Sequence, residues 1–307
     1  MKRFSSMTTT QIARICGVSQ GTVDRALHDR PGIHPETRER ILAVAREYAY
    51  VPTVRGTQPN GKSMLIGVVL YDLYNGFFSK LAMSLVNCFQ TIGYSVIFLF
   101  SNKELAAERS AVDYFNYIGV DGIILFSVGS DDVEYLSYLR SIMRPLVTVG
   151  NRMRGVSYIG VDDEQAMYDL TVKMPQKDGE LLYFAPILKK TLHSLNAQYR
   201  RFDGFRRAAE ERGQAWRLVT DESDLCDNCA GIVCSTDHYV LRVLEHFEFS
   251  CQAPLAGFDH VSALSHSKER ILTVEYSTDR IAEECMHYFL KRKFEPHIPH
   301  TVLEMEE

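Results

Sequence analysis

From Met64 onward the sequence alternates short apolar runs with longer amphipathic segments, and this rhythm constrains the fold more than any other feature. "MLIGVVLY", "SVIFLF", "DGIILFSV" and "PLVTVG" are separated by "FSKLAMSLVNCFQTIGY", "ELAAERSAVDYFNYIGV" and "DVEYLSYLRSI". The apolar runs are short and lack the polar alternation of a strand with one wet face, so they read as strands buried on both sides. Such strands joined by helices build parallel, doubly wound sheets. The rhythm restarts with "GELLYFAP", "AQYRRFDGFRRAAEERG", "AWRLVT", "AGIVCS", "HYVLRVLEHF" and "PLAGFDH". Two rounds predict two α/β lobes with a cleft between them.

The residues before this region follow a different pattern. Thr8 with Gln11 three positions on is a capping-box pair, and Ile12, Ile15 and Cys16 recur at helical spacing. Gly17 supplies a C-terminal stop. Ser19 is a good N-cap for a second helix, with Val23, Ala26 and Leu27 on one side and Gln20, Gly21, Asp24 and Arg25 largely away from it. "DRPGIHP" reads as a loop, and Glu36 to Tyr48 as a third helix with Ile41, Val44, Ala45 and Tyr48 as its apolar stripe. Helix, Gly-containing turn and Ser-capped helix in close succession form the helix-turn-helix arrangement, here an all-α head.

Charge separates head from body. Residues 1–62 hold ten Lys and Arg against five Asp and Glu, net +5, which leaves −10 for residues 63–307 out of a total of −5. A basic head on an acidic body confines a nucleic-acid contact to the head. No apolar stretch has the length of a membrane span, and "MKRFSSMTTTQIARICG" has no apolar core of a secretory signal. The seven cysteines are odd in number and scattered, as reduced thiols of a cytoplasmic protein are. "CDNC" (Cys226 to Cys229) lacks the second pair a zinc ribbon needs and reads as a loop with two free thiols. "HIPH" (His297 to His300) carries Pro299 between its ends and no acid placed as a base. No GxGxxG follows the first strand, and neither a P-loop nor a GxSxG elbow is present. The expectation is a protein that is not an enzyme and requires no cofactor or metal.

"QIARICGVSQGTVDRAL" with "IHPETRERILAVAREYAYVP" resembles the headpiece of the lactose-repressor (LacI/GalR) family of bacterial transcription factors, over the whole head. The resemblance implies that the Ser-capped helix enters the major groove of operator DNA, with Gln20, Gly21 and Arg25 at base-facing positions. Arg25 can span O6 and N7 of guanine, and Gln20 can pair with adenine; Gly21 leaves one position unread. Ser19 and Thr22 can bond phosphates and fix register. Asp24 stands where that family more usually has Ser; it can accept from a cytosine amine, orient the neighbourhood of Arg25, or pair with a nearby Arg. The family's hinge helix falls on "VPTVRGTQPNGKS", where Gly56, Pro59 and Gly61 disfavour a helix and no Leu stands ready as a wedge. A flexible linker is expected there, with Arg55 and Lys62 available to phosphates.

The body resembles the sugar-binding core shared by these regulators and periplasmic binding proteins, through "NGFF", "NRMRGVSYIGVDD", "RRFDGFRRA" and "LAGFDH". Carried over by position, the resemblance implies an effector site of Asn75, Phe77, Asn151, Arg152, Arg201, Asp237 and Asp259. Tyr276 in "TVEYS" replaces a more usual Gln, and Asp72 is a further wall residue. Ordinary roles compete: one of Phe77 and Phe78 in the core, Asp237 as a helix cap, Arg201 as a surface base. The expected organisation is a DNA-binding domain over 1–52, a linker over 53–63, and a two-lobed effector-binding and dimerisation domain over 64–307. The expected function is a cytoplasmic, homodimeric transcriptional regulator, a repressor, that binds operator DNA and answers to a small ligand, a sugar before others, with no membrane partner. A periplasmic-type binding protein for transport explains the body but not the head, and a cleft enzyme lacks a nucleophile–base constellation.

Overall fold

The head is built from local signals that need little help from elsewhere. In the computed structural model, which describes residues 8–27, 30–48, 62–128, 132–189, 196–267 and 269–305, it consists of α1 (Thr9–Cys16), α2 (Gln20–Leu27) and α3 (Pro35–Glu47). Thr8 and Gln11 form the capping box in both directions: Thr8 N donates to Gln11 Oε1 at 2.8 Å, and Gln11 N to Thr8 Oγ1 at 3.2 Å. Gly17 closes α1 at φ 62°, a left-handed conformation that glycine adopts without steric cost. Ser19 Oγ accepts from Thr22 N at 3.1 Å and starts α2. Pro35 begins α3, where its missing N–H costs nothing. Ile12, Ala13, Cys16, Val23, Ala26, Ile41 and Ala45 make the core. Ile15 and Tyr48, expected inside, are each 51% exposed. Three short helices enclose too little volume to cover them, and the smaller Ala13 takes the inner place.

The chain separates into two units, Met1–Ser63 and Met64–Glu307. The second runs β1 (Leu65–Leu70), α4 (Gly76–Gln90), β2 (Ser95–Phe100), α5 (Leu105–Ile118), β3 (Gly122–Leu125), α6 (Val133–Ser141), β4 (Leu146–Val149), β5 (Ser157–Val161) and α7 (Asp163–Lys173). It continues with β6 (Leu181–Phe184), α8 (Ala197–Glu211), β7 (Trp216–Val219), β8 (Gly231–Cys234), α9 (Asp237–His246), β9 (Leu255–Phe258), β10 (Ile271–Tyr276), α10 (Thr278–Phe289), β11 (His297–Ile298) and β12 (His300–Glu304).

The strands form two six-stranded sheets, ordered β11-β5-β4-β3-β1-β2 and β12-β10-β9-β8-β6-β7. All pairings are parallel except β10 with β12. Helices cover both faces of each sheet, which is why the strands are apolar throughout. The chain passes between the lobes three times: from β5 into α7, from β10 into α10, and from β11 into β12. "HIPH" is the third of these passages, and its His300 pairs with Asp169 at 2.9 Å. Cys226 and Cys229 lie ahead of β8 as free thiols. Among the described residues, no helix is long and apolar enough to cross a membrane.

Candidate DNA-binding face and interlobe cleft

The outer side of α2 is polar and accessible. Val23 and Ala26 face the head's core, while Ser19, Gln20, Gly21 and Arg25 are exposed and Thr22 and Asp24 half-buried. Ser19 Oγ and Thr22 Oγ1 lie 2.8 Å apart, and Gln20 Nε2 donates to Thr9 Oγ1 at 2.9 Å. Asp24 pairs with Arg30 at 3.2 Å. The acid beside Arg25 thus has a basic partner of its own, the third of the roles open to it from sequence. Arg55 and most of the linker fall outside the described residues.

In the body, the carboxyl ends of the parallel strands from both lobes converge on one crevice, where open α/β sheets bind ligands. Its lobe-2 floor is organised by two adjacent acids and two adjacent bases. Asp162 and Asp163 open α7, and Arg200 and Arg201 lie near the start of α8. Arg200 reaches Asp162 at 2.7 Å and Glu164 at 3.9 Å. Arg201 donates through Nε to Asp163 at 2.8 Å and through NH1 to the Ser235 carbonyl at 2.9 Å, and pairs with Asp259 at 3.5 Å. Its guanidinium lies 3.6 Å from the centre of the Phe258 ring, a cation–π contact in a buried setting. One turn further along α8, a side chain at Gly204 would run into the Glu164 carbonyl of α7. The "RRFDG" sequence is therefore a docking device: two arginines pin the helix N-termini, and the glycine lets the backbones close.

Asp259 joins both lobes. It accepts from the Tyr276 hydroxyl at 2.9 Å, and the Asn75 side chain across the cleft is near enough to oppose the rise of its pKa. Its backbone sits at φ 103°, a costly conformation for a side-chain-bearing residue and one that clusters at functional sites. Phe77 meets Tyr276 with ring centres 5.3 Å apart, a second bridge between the lobes. Phe77 and Phe78 both belong to an aromatic group with Phe126, and Tyr71 packs on Phe78. On the other side of the cleft Asn151 makes a third bridge. Its Nδ2 donates to the Tyr71 hydroxyl and the Ser127 carbonyl, both at 2.8 Å, and its Oδ1 accepts from Ala197 N at 2.8 Å.

Arg152 rests over the Tyr158 ring at 4.8 Å. Asp72 accepts from Tyr74 N at 3.0 Å and pairs with Lys103 at 3.8 Å. Asp237 departs from the expected role in ligand contact. It is fully buried, and its oxygens accept from Val261 N at 2.8 Å and Thr273 Oγ1 at 2.9 Å. It braces the turn after β9 against β10, because a buried carboxylate must find its donors inside the lobe. Asn75, not Asp237, has the capping role: its Oδ1 accepts from Phe77 N at 3.0 Å at the start of α4.

Burial raises the pKa of Asp163 and Asp259, against the opposing pull of Arg201. Burial also works against the Arg201 charge, but Asp259 and Asp163 outweigh it and hold that pKa above the ordinary value. Asp237 is pushed well above the usual carboxylate range by burial, against the weaker pull of its Val261 and Thr273 hydrogen bonds and of Arg201. A carboxyl raised in the folded state contributes stability that is complete below its unfolded pKa and is lost as pH rises through the folded one. We therefore expect the wild-type body to lose stability relative to Asp237→Asn as pH rises above the ordinary carboxylate range, by up to about 1.4 kcal/mol per pH unit. Urea midpoints across that range check this; parallel slopes would remove the assignment.

The residues that sequence reasoning passed over are Tyr71, Ser127, Asp163 and Phe258. Asp163 had a usable signal, since the paired acids of "GVDD" match the paired bases of "YRRF" in number and sign.

Residues 8–53 match the family model described as "Bacterial regulatory proteins, lacI family". Along its length the chain is 23% identical to the HTH-type transcriptional regulator RegA of Clostridium saccharobutylicum, covering 96% of each. Among solved structures, a CelR–cellobiose complex superposes with a TM-score of 0.63 at 18% identity, over 98% of this chain and 100% of that one. The lac repressor dimer bound to operator and the anti-inducer ONPF gives 0.66 at 16% identity, over 98% and 99%. These two show the two-lobed fold, residues 8–53 carry a head that matches the lacI family of bacterial regulatory proteins, and the full-length alignment is to a transcriptional regulator.

Proposed function

We propose that the chain is a cytoplasmic, homodimeric repressor without enzymatic activity. Residues 1–52 bind operator DNA, 53–63 link, and 64–307 take a small ligand between the lobes and pair with a second copy. The observation that carries this reading is the outer face of α2, where Gln20, Gly21 and Arg25 stand exposed on a helix whose opposite side is fixed in the core. Relatives of this fold bind operator DNA as a dimer or hold cellobiose, as their structures are described, which supports both halves of the proposal.

Arg25 is the base reader: it is exposed, and Asp24 beside it is engaged by Arg30. Ser19 and Thr22 set register on phosphates, with Arg55 following from the linker. Two heads on one dimer require two half-sites in a near-palindrome. In the cleft, Arg201, Asp259 and Tyr276 form the lobe-2 floor, with Asn75, Phe77, Asn151, Arg152 and Asp72 on the lobe-1 side. Ligand acts on DNA only through its different affinity for the lobe arrangements that favour and disfavour operator.

The test is selection of binding sites from random DNA followed by titration of Arg25→Ala. The variant should lose about 1–3 kcal/mol of specific binding and its preference at one position per half-site, while its thermal unfolding is unchanged. Unaltered affinity and unaltered preference would refute the recognition-helix assignment.

A further inference from the structure

On α5, Glu108 is a fully buried acid that neither the head nor the cleft lining accounts for. Burial raises its pKa, against the pull of the three hydrogen bonds it receives. Its Oε1 accepts from Ser127 Oγ at 2.8 Å and from the Tyr135 hydroxyl of α6, and its Oε2 accepts from Val128 N at 2.6 Å. All three partners are donors, and acceptance at both oxygens is the pattern of a carboxylate. A buried acid held without a basic partner is costly, so what it holds is informative.

Ser127 and Val128 follow the end of β3, and Ser127 is itself an attachment point. Its carbonyl accepts from the Tyr71 hydroxyl and, at 2.8 Å, from Asn151 Nδ2, which also donates to the Tyr71 hydroxyl at 2.8 Å. With its NH2 group fixed in this way, Asn151 turns Oδ1 toward lobe 2 and accepts from Ala197 N at 2.8 Å. Ala197 opens α8, where a first-turn N–H has no partner within its own helix. A continuous run of hydrogen bonds therefore leads from α6 through Glu108, Ser127 and Asn151 into the other lobe. Tyr135, Glu108, Ser127, Asn151 and Ala197 are all buried along it, so water does not compete for these bonds.

Resting on the regulator reading above, we propose that Glu108 is a positioning residue for the lobe arrangement: it holds Ser127 and Val128 so that the Ser127 carbonyl orients Asn151 for its bridge to α8. Glutamine cannot take its place. If the amide oxygen keeps Val128 N–H, the NH2 meets Ser127 and Tyr135, whose hydroxyl hydrogens lose their acceptor. If the oxygen keeps the hydroxyls, the NH2 faces Val128 N–H, donor against donor.

The test is amide hydrogen exchange by NMR on the full chain. In Glu108→Gln, Ala197 N–H should exchange at least about tenfold faster. Ile232 N–H, bonded to the Pro254 carbonyl inside lobe 2, should keep its rate. Ser127→Ala cuts the same run with a smaller change in volume and should also speed Ala197; it decides the matter if Glu108→Gln does not fold. Asn151→Ala removes the bridge itself, so adding Glu108→Gln to it should bring no further acceleration. Unchanged Ala197 exchange in the single variants, acceleration shared equally by Ile232, or additive acceleration in the double variant overturns the proposal.

Operator affinity is read separately. Glu108→Gln and Ser127→Ala should shift the operator Kd at least about fivefold, in the direction that Asn151→Ala shifts it. Faster Ala197 exchange with an unmoved operator Kd in all three keeps Glu108 as the support of the bridge and removes the regulator reading. An operator Kd moved by Asn151→Ala, with Ala197 untouched by Glu108→Gln and Ser127→Ala, does the reverse.

Discussion

Arg201→Met lowers the unfolding free energy of the body by about 3–5 kcal/mol, because it strands Asp163 and Asp259 in an interior that their shared cation makes tolerable. Arg201 is 5% exposed, and both carboxylates are buried with it. The loss should depend on pH in a defined sense. Both carboxyls already have raised pKa values, with Arg201 opposing the rise. Without Arg201 they rise further, and protonation relieves the stranded charges. The deficit should therefore be largest at neutral pH and shrink as pH falls toward the ordinary carboxylate range. Adding Asp259→Asn to Arg201→Met should recover part of it. Urea denaturation of single and double variants reads both effects. A loss below about 1 kcal/mol would mean that the site is solvated and the ion pairs are surface-like.

Gly204→Ala lowers stability by about 2–3 kcal/mol, against the direction helix propensity alone requires. Alanine in place of glycine inside a helix ordinarily stabilises by about 0.5–1 kcal/mol. Here the added carbon meets the backbone of α7 at Glu164 and Tyr168, which cannot turn aside as a side-chain tip can, so overpacking wins. The two helices must separate at the point where Arg200 and Arg201 reach Asp162 and Asp163, and ligand affinity should fall together with stability. A stabilised Gly204→Ala would show that α7 and α8 are not in close contact.

The parts legible in sequence are those whose cause is local. The capping box at Thr8, the left-handed Gly17 and the Ser19 cap need only their own neighbours. The β/α rhythm through β4, and again from β6 to β9, is visible because buried parallel strands are apolar without interruption. Less legible were β5, α7, β10 and α10, and above all the tail. "HIPHTVLEME" contains a two-residue strand, a proline and a five-residue strand. Neither strand is persuasive alone; each exists because another segment offers it a sheet edge, at β5 and at β10. The tail is the third passage between the lobes.

The cleft shows the same division. Arg201 and Asp259 stand out through their flanking motifs. Asp163 gains its role only from an arginine 38 residues away, and Asp237 carries an acid's usual signature while serving as a brace inside lobe 2. Asn151 has both ends of its amide engaged, so it contributes as much to holding the lobes together as to their lining. Ligand entry must compete with such bridges, and this links occupancy to lobe arrangement.

That link is the central claim, and one measurement tests it most directly: the operator Kd of the full chain, at fixed salt, without ligand and at saturation with a small ligand that raises Tm. Salt must be fixed because phosphate contacts dominate the affinity. Coupling between the sites predicts a change of about 5–150-fold, absent in a variant whose affinity for that ligand has been removed. The same Kd with and without saturating ligand would contradict it.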